Sequence, residues 1–172
     1  MIRRVVDAMA PLASEMLVSI ADEIAADAMR SVLPGVTFIV DRSPGIGPVE
    51  GLRRGAEAAH GDRLLVAPCD APLLRADLFR LLGEALGAHQ AAVPRLEVFD
   101  PVRAIYRTSA VRELLANEAG APASPSAVVD CLDAVFVGEE RLRSIDPRLD
   151  SFLDVNTQDD LDEVLRRMRT AH

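Results

Sequence analysis

The feature that most constrains the fold is the apolar run Leu-Leu-Val-Ala at residues 64–67, which ends shortly before Asp70. Such a run is typical of a strand buried on both faces, and strands of this kind belong to parallel sheets in α/β proteins. In open α/β sheets, ligands bind outside the carboxyl ends of the strands. Asp70 is therefore expected where a catalytic or metal-binding carboxylate would lie.

Two further apolar runs also end in acids. Residues 36–40 are followed by Asp41, and residues 152–153 are followed by Asp154. If all three runs are parallel strands, three carboxylates meet at one edge of one sheet, where they would bind a divalent cation and the phosphates it carries. Each acid also has a simpler interpretation, because Asp70 and Asp154 could cap helices and Asp41 could be a turn residue.

A glycine-rich segment at residues 45–52 surrounds the predicted start of a helix. Gly45, Gly47 and Gly51 would let a ligand approach the backbone closely, and free N–H groups at a helix start favour an anion. A tight strand-to-helix turn explains the same residues without a ligand. The segment matches neither the dinucleotide-binding fingerprint nor the Walker pattern, since no lysine follows it.

The whole chain is predicted to form a single α/β domain, because 172 residues with 49% hydrophobic content can bury a core. Strand and helix patterns alternate along it. Strands are predicted near residues 15–20, 36–40, 64–67, 91–93, 104–106 and 134–137. Helices are predicted near residues 2–9, 22–32, 49–59, 75–86, 109–117 and 124–132, with a last helix that follows Thr157 and is capped by Thr157 and Asp160.

Charge limits the partners of this chain. A formal net charge of -8 argues against a nucleic acid or an acidic membrane as a partner, because polyanions would be repelled. All 19 basic residues are arginine, so phosphates would have to be held by arginine, by backbone N–H groups or by a metal. No signal peptide or transmembrane run is present in the sequence, and we expect a cytoplasmic protein.

Two other regions of the sequence are interpreted without a role in a binding site. Asp100, Arg103 and Tyr106 are interpreted as a solvated loop and an edge strand, since isolated charges usually mark a solvated face. The first helix begins on Met1 and Ile2 without a capping residue. That beginning is typical of a helix interior, so we expect a segment to precede it.

Taken together, these segments resemble the molybdenum cofactor guanylyltransferases, the MobA-like nucleotidyltransferases. The resemblance covers most of the chain and includes residues 40–41, 47–52, 66–72, 101, 105–107 and 153–161, of which Pro-Cys-Asp-Ala-Pro (68–72) and Asn-Thr-Gln-Asp-Asp-Leu (156–161) are the most specific. It implies a three-layer α/β/α sandwich with a mostly parallel sheet, of the nucleotide-diphospho-sugar transferase type. It also implies transfer of GMP from GTP to molybdopterin, with Mg²⁺ as cofactor and pyrophosphate as the second product.

The resemblance assigns roles on the nucleotide side of the site. Asp70 would hold Mg²⁺ and contact the nucleotide phosphates as the catalytic residue. Asp41, Gly47, Pro48 and Gly51 would lie in the GTP pocket. Phosphate attack on phosphate requires that charge repulsion be screened, which a carboxylate-bound Mg²⁺ provides.

On the acceptor side, the resemblance points to Asp154 and Asn156. They fall on the family's Asn-x-Asn-Thr pattern, with Asp154 in place of the first asparagine. This replacement adds a negative charge, and Asp154 is accordingly the second candidate metal ligand.

The chain departs from the family at its beginning, where the family's first strand and its Gly-rich nucleotide loop are absent. That strand would lie between those near Leu17 and Leu65, so its loss predicts a gap in the sheet and weak or no GTP turnover. Three interpretations remain open: an N-terminally truncated enzyme, direct pairing of the flanking strands, or a partner, including a second copy, that supplies the strand. Two alternative functions also remain, a non-catalytic module that binds nucleotide or molybdopterin and a related nucleotidyltransferase with another acceptor.

Overall fold

The computed structural model describes residues 1–42, 47–117 and 120–170, so Gly45 and Ile46 of the glycine-rich segment lie outside the described residues. The helices are α1 (Ile2–Met9), α2 (Glu23–Arg30), α3 (Pro48–Ala58), α4 (Ala76–Leu86), α5 (Thr108–Leu115), α6 (Pro125–Asp130), α7 (Glu139–Ile145) and α8 (Gln158–Thr170). The strands are β1 (Leu17–Ile20), β2 (Thr37–Val40), β3 (Arg63–Val66), β4 (Ala91–Arg95), β5 (Ala104–Arg107) and β6 (Ala134–Gly138).

Local sequence signals explain several of the helix boundaries. The Asp22 side chain accepts a hydrogen bond from the Ala25 N–H at 2.8 Å and caps α2. Ser124 caps α6 in the same way, through the Ala127 N–H at 3.1 Å. Gly87 ends α4 with φ at +46°, a backbone conformation that residues other than glycine rarely adopt.

The strands form two sheets. In the first, β1 pairs with β2 in parallel, with Leu17 opposite Thr37. The second has the order β3-β5-β4-β6, in which β5 runs antiparallel to both of its neighbours and β4 runs parallel to β6. Among the described residues β3 pairs only with the antiparallel β5, so the expectation of a parallel neighbour is wrong. No residue of β3 is fully buried, because the strand also borders a cavity.

Helices cover both faces of the sheets, as the predicted three-layer α/β/α sandwich requires. On one face, α1, α4 and α7 bury a cluster that includes Met9, Leu78 and Leu142. On the other, α3, α5 and α6 bury a cluster that includes Leu52 and Val111. No helix among the described residues combines the length and the apolarity needed to cross a bilayer.

The sheet is interrupted between β1 and β3. Within the described residues these two strands belong to different sheets, and a cavity of about 1440 Å³ is lined by both of them. The interpretation in which the flanking strands pair directly is therefore wrong. α3 packs against β1, β2 and β3, and so holds the two sheets in one domain while leaving the gap between them.

Candidate functional site

The cavity between β1 and β3 gathers most of the residues singled out in the sequence. Its lining includes Asp41, Gly47, Pro48, Gly51, Asp70 and Asp154. Asn156 does not line it; that residue is exposed, and its backbone N–H donates to Asp160 Oδ2 at 3.1 Å at the start of α8. The structure thus brings the candidate nucleotide residues and Asp154 together, and leaves the Asn156 side chain outside.

Asp41 lies directly after β2, half-buried, and its backbone N–H donates to the Ile20 carbonyl at 3.0 Å. Its carboxylate accepts a hydrogen bond from the Ser19 hydroxyl at 2.5 Å. A Cβ at Gly51 would lie 3.1 Å from Ser19 Oγ, so glycine at this position gives Ser19 room against α3. The sequence analysis missed Ser19, whose only signal is a hydroxyl within an otherwise apolar strand.

The N-terminus of α3 borders the same cavity. Gly47 precedes the helix with φ at +89° and ψ at -164°, which strongly favours glycine, and Pro48 occupies the first turn. Within the first turn of the helix, the buried Glu50 accepts the Arg42 N–H at 3.2 Å and contacts the Arg53 guanidinium at 3.2 Å. Glu50 therefore ties the chain after β2 to α3.

Asp70 lies in the segment that follows β3, and it is half-buried. It does not cap a helix, because α4 begins only at Ala76 and Arg75 occupies the capping position. The Asp70 carbonyl accepts the Val155 N–H at 2.9 Å. That bond fixes the segment containing Asp154 beside the segment containing Asp70.

Asp154 lines the cavity, but it does not follow a strand as the sequence predicted. Residues Asp150–Phe152 form a short 3-10 helix, so no strand precedes Asp154 and the expectation of a third strand end is wrong. Two apolar residues are too few to make a strand on their own. Asp154 does not cap α8 either, because Thr157 holds that position.

Arg103 holds the Asp154 carboxylate in place. Arg103 is only 3% exposed, and its guanidinium forms ion pairs with Asp100 and Asp154. Its Nε donates to the Ser151 carbonyl at 2.9 Å, and the guanidinium lies 5.6 Å from the centroid of the Phe152 ring. The expectation of a solvated Arg103 is therefore wrong, because three acceptors, Asp100 in its own loop and Ser151 and Asp154 in a distant segment, satisfy its donors.

Burial raises the pKa of the Asp154 carboxyl. The Arg103 guanidinium opposes that shift, whereas the nearby negative charges of Asp70 and Asp100 add to it. Asp70 and Asp154 are thus close enough to repel each other. A cation between two carboxylates would relieve that repulsion.

The donor set fits a magnesium ion that is shared with a substrate. Asp70 and Asp154 would hold it with hard oxygen ligands, which Mg²⁺ prefers. Among residues 1–42, 47–117 and 120–170, no group of three metal-binding side chains is clustered. Mg²⁺ commonly uses one or two carboxylates together with waters and substrate phosphates, so two carboxylates are compatible with that mode.

Comparison with known proteins identifies the family of the chain. The family model described as the MobA-like NTP transferase domain matches residues 1–135. A probable molybdenum cofactor guanylyltransferase of Methanosarcina mazei is 28% identical over 172 residues, which cover 95% of this chain and 77% of that protein. A protein of the same description from Natronomonas pharaonis is 29% identical over 173 residues, covering 98% of this chain and 84% of its own length.

Solved structures with a similar fold are also found. Molybdopterin-guanine dinucleotide biosynthesis protein A of Archaeoglobus fulgidus has a TM-score of 0.81 and 26% identity, covering 98% of this chain and 85% of that one. The 2-C-methyl-D-erythritol 4-phosphate cytidylyltransferase of Thermus thermophilus has a TM-score of 0.69 at 19% identity, and it shares the fold. The family model spans well over half of this sequence, and the chain belongs to the MobA-like NTP transferase family.

Proposed function

We propose that this chain transfers GMP from GTP to molybdopterin and so forms molybdopterin guanine dinucleotide. The observation that supports the proposal is the placement of Asp41, Asp70 and Asp154 on one cavity, next to the N-terminus of α3. The relatives named as molybdenum cofactor guanylyltransferases supply the nucleotide and the acceptor.

The charges around the cavity argue for a metal-dependent reaction. A triphosphate placed beside these carboxylates would be repelled, and the arginines that line the cavity, Arg63 and Arg80, belong to β3 and α4 rather than to the segments holding the acids. A bound Mg²⁺ would screen the charge between the attacking and the reacting phosphates. Asp70 and Asp154 would hold that ion.

Other residues of the chain would bind and orient the nucleotide. The positive end of the α3 dipole borders the cavity at Gly47 and Pro48, where it would attract a phosphate. Asp41, oriented by Ser19, would accept hydrogen bonds from the nucleoside portion of GTP. Arg103 would fix the Asp154 carboxylate without contacting the nucleotide itself.

A transfer assay tests the proposal. Purified protein is incubated with labelled GTP, molybdopterin and Mg²⁺, and the dinucleotide product is separated by chromatography. Because the sheet is interrupted beside the site, we expect slow turnover that EDTA abolishes. Asp70→Asn should lower the rate by about 100-fold or more, as removal of an electrostatic transition-state contact commonly does.

The matched control is Asp133→Asn. Asp133 is exposed, hydrogen-bonds to His89 at 3.0 Å and does not line the cavity, so its loss should leave the rate unchanged. Equal rates for wild type and Asp70→Asn would contradict the proposed role of Asp70.

The interrupted sheet also favours a second candidate function, a module that binds nucleotide without turning it over. Calorimetric titration of Mg²⁺ and GTP into wild type and Asp70→Asn separates the two. Magnesium-dependent binding that is lost in Asp70→Asn, without any dinucleotide product, would favour the binding module. Absence of both binding and product would contradict both functions for this chain.

A further inference from the structure

Arg95 ends β4 at the edge of the sheet where the candidate site lies. β3 and β4 both run antiparallel to β5, so their carboxyl ends share one edge, and Asp70 follows β3 at that edge. β5 separates the two strands, and neighbouring strands lie about 4.8 Å apart, so β3 and β4 end about 10 Å from each other. A ligand that extends from Asp70 along the edge therefore passes the end of β4.

The Arg95 side chain is held over an aromatic ring. Its guanidinium carbon lies 4.0 Å from the centroid of the Phe136 ring. The Phe136 ring packs against Phe99, with the two centroids 5.4 Å apart, and Phe99 forms a β-bridge with Arg95. A cation on the face of a ring within about 6 Å is attracted by the quadrupole of the ring. These contacts orient the guanidinium before any ligand binds, although Arg95 is exposed.

The Arg95 guanidinium has no acidic partner among the described residues. None of the ion pairs or side-chain hydrogen bonds in that part of the chain includes it. Arg103, just before β5, is buried and binds Asp100 and Asp154 instead. An exposed arginine that no acid neutralises can offer its N–H groups to a ligand, even in a chain with a net charge of -8.

A series of contacts joins the end of β4 to Asp154. The Asp100 N–H donates to the Pro94 carbonyl at 2.9 Å. The Asp100 carboxylate pairs with Arg103, which also pairs with Asp154. Residues 101–102, in the same connection, line the cavity. The connection from β4 to β5 thus borders the cavity, and a ligand whose reacting group lies at Asp154 can extend along it.

The position of Arg95 favours the acceptor over the nucleotide as its ligand. Asp41, proposed to contact the nucleoside portion of GTP, follows β2 on the opposite side of the gap between the sheets. Arg95 lies on the other side of Asp70. Molybdopterin, as a pterin, combines a flat ring that bears a carbonyl oxygen with a phosphate some distance from that ring. Arginine stacks on flat rings and donates to ring carbonyl oxygens, as it does with guanine.

From these observations we infer that Arg95 recognises the acceptor: its guanidinium, supported by Phe136, binds the pterin ring while the acceptor phosphate lies at Asp154. The identity of the acceptor as a pterin rests on the proposed function. Binding of the ring does not require that GMP be transferred, so the two can fail separately.

A ligand titration followed by NMR tests the inference. The probe is 6-hydroxymethylpterin, which has the ring without a phosphate, and the control ligand is inorganic phosphate, which has charge without a ring. We expect the pterin to shift the Arg95 Nε–H and Phe136 ring resonances in a saturable way. Arg95→Met should weaken pterin binding about tenfold or more, because hydrogen bonds from a charged donor are lost.

Two further variants separate ring recognition from plain charge. Arg95→Lys keeps the charge but lacks the planar guanidinium, so it should bind the pterin about as weakly as Arg95→Met. Arg141→Met is the matched control. Arg141 is an exposed arginine of α7, on the other face of the sheet from Phe136, and it has no acidic partner among the described residues. Its loss should leave pterin binding unchanged.

Kinetics of the transfer reaction add a second readout. Arg95→Met should raise the KM for molybdopterin about tenfold and leave the KM for GTP unchanged, because it removes a contact to the acceptor alone. If wild type forms no dinucleotide, the proposed function fails and the pterin titration still tests Arg95.

Four results would overturn the inference. The first is the absence of saturable pterin binding to wild type, and the second is equal pterin binding by wild type and Arg95→Met or Arg95→Lys. The third is the same set of shifts with inorganic phosphate at equal affinity, which would indicate a general anion site. The fourth is a raised KM for GTP with an unchanged KM for molybdopterin, which would assign Arg95 to the nucleotide.

Discussion

At the scale of single residues, Arg103 is a buried arginine that neutralises two carboxylates beside the site. Arg103→Met removes one charge that neutralises Asp100 and Asp154, and so leaves two carboxylates without their cation. Loss of one partner of a buried ion pair costs about 3–5 kcal/mol, and we expect about 2–3 kcal/mol because Asp154 is partly exposed. Chemical denaturation measures that change.

A second measurement separates positioning from plain stability. The Arg103 guanidinium lowers the pKa of Asp154 against the effect of burial, so Arg103→Met should raise that pKa further. Titration of the Asp154 carboxyl by carbon-detected NMR reports the shift. Arg143→Met is the control: Arg143 pairs with Glu139 on the surface, and its loss should change stability by less than about 1 kcal/mol. An unchanged Asp154 pKa in Arg103→Met would show that Arg103 acts only on packing.

The acids of the site could be predicted from sequence, and Arg103 could not. Asp70 and Asp41 follow apolar runs, and the carboxyl ends of strands are where ligands bind. Arg103 lies in a loop close to Asp100 in the sequence. A solvent-exposed arginine in a loop can have the same sequence neighbours, so the local pattern does not reveal burial. Its burial depends on Ser151 and Asp154, about fifty residues along the chain, which local pattern does not connect to it.

At the scale of elements, α8 has the cap that its sequence predicts. Asp160 N–H donates to Thr157 Oγ1 at 3.2 Å, and Thr157 N–H donates to Asp160 Oδ2 at 2.8 Å, which is a reciprocal capping box. Thr157→Ala should therefore lower stability by about 1 kcal/mol, measured by chemical denaturation. A stability equal to wild type would contradict a contribution of the cap to folding.

The same cap gives α8 a pH dependence. Hydrogen bonds from the Thr157 hydroxyl and from the Asn156 and Thr157 N–H groups hold the pKa of Asp160 below its usual value of 3.8. A lowered carboxyl pKa stabilises the fold above the unfolded-state pKa, and that stabilisation is lost as the pH falls through the folded-state pKa. The stability difference between wild type and Asp160→Ala should thus be larger at pH 7 than near pH 2.

The control for the pH experiment is Asp159→Ala, in the same helical turn. It removes the same charge near the same end of α8, but Asp159 makes none of the capping hydrogen bonds seen for Asp160. Its stability difference from wild type should be smaller at pH 7. Equal pH profiles for the two variants would indicate a general charge effect instead of a cap.

Most elements agree with the sequence prediction to within two or three residues, and the exceptions have physical reasons. α7 was not predicted, because its charged sequence contains only Leu142 and Ile145 as apolar residues and so lacks a stripe. The spacing of Leu161, Val164, Leu165 and Met168 predicts a buried stripe on α8, but Leu165 is exposed, whereas Val164 is buried. A thirteen-residue helix that packs along a narrow line buries fewer positions than its apolar pattern suggests.

At the scale of the whole molecule, the sequence predicted the gap but not the direction of the central strand. The resemblance to the family implies a missing strand between those near Leu17 and Leu65, and the structure has its cavity there. The antiparallel direction of β5 is not visible in the sequence, because Ala104, Ile105 and Tyr106 would be buried in a strand of either direction. Topology follows from the connections and packing of several elements, which a single strand pattern does not record.

The interrupted sheet should divide the molecule into two regions of different stability. β1 and β2 form a two-stranded sheet, which is marginally stable alone, and α2 beside them buries only Ala26. β4 pairs on both sides within the larger sheet, and Ala92 and Val93 are fully buried there.

Native-state hydrogen exchange should therefore be at least about tenfold faster at the Ile39 amide of β2 than at the Ala92 amide of β4. Equal exchange rates in the free protein would show that packing through α1 and α3 alone makes the domain one cooperative unit.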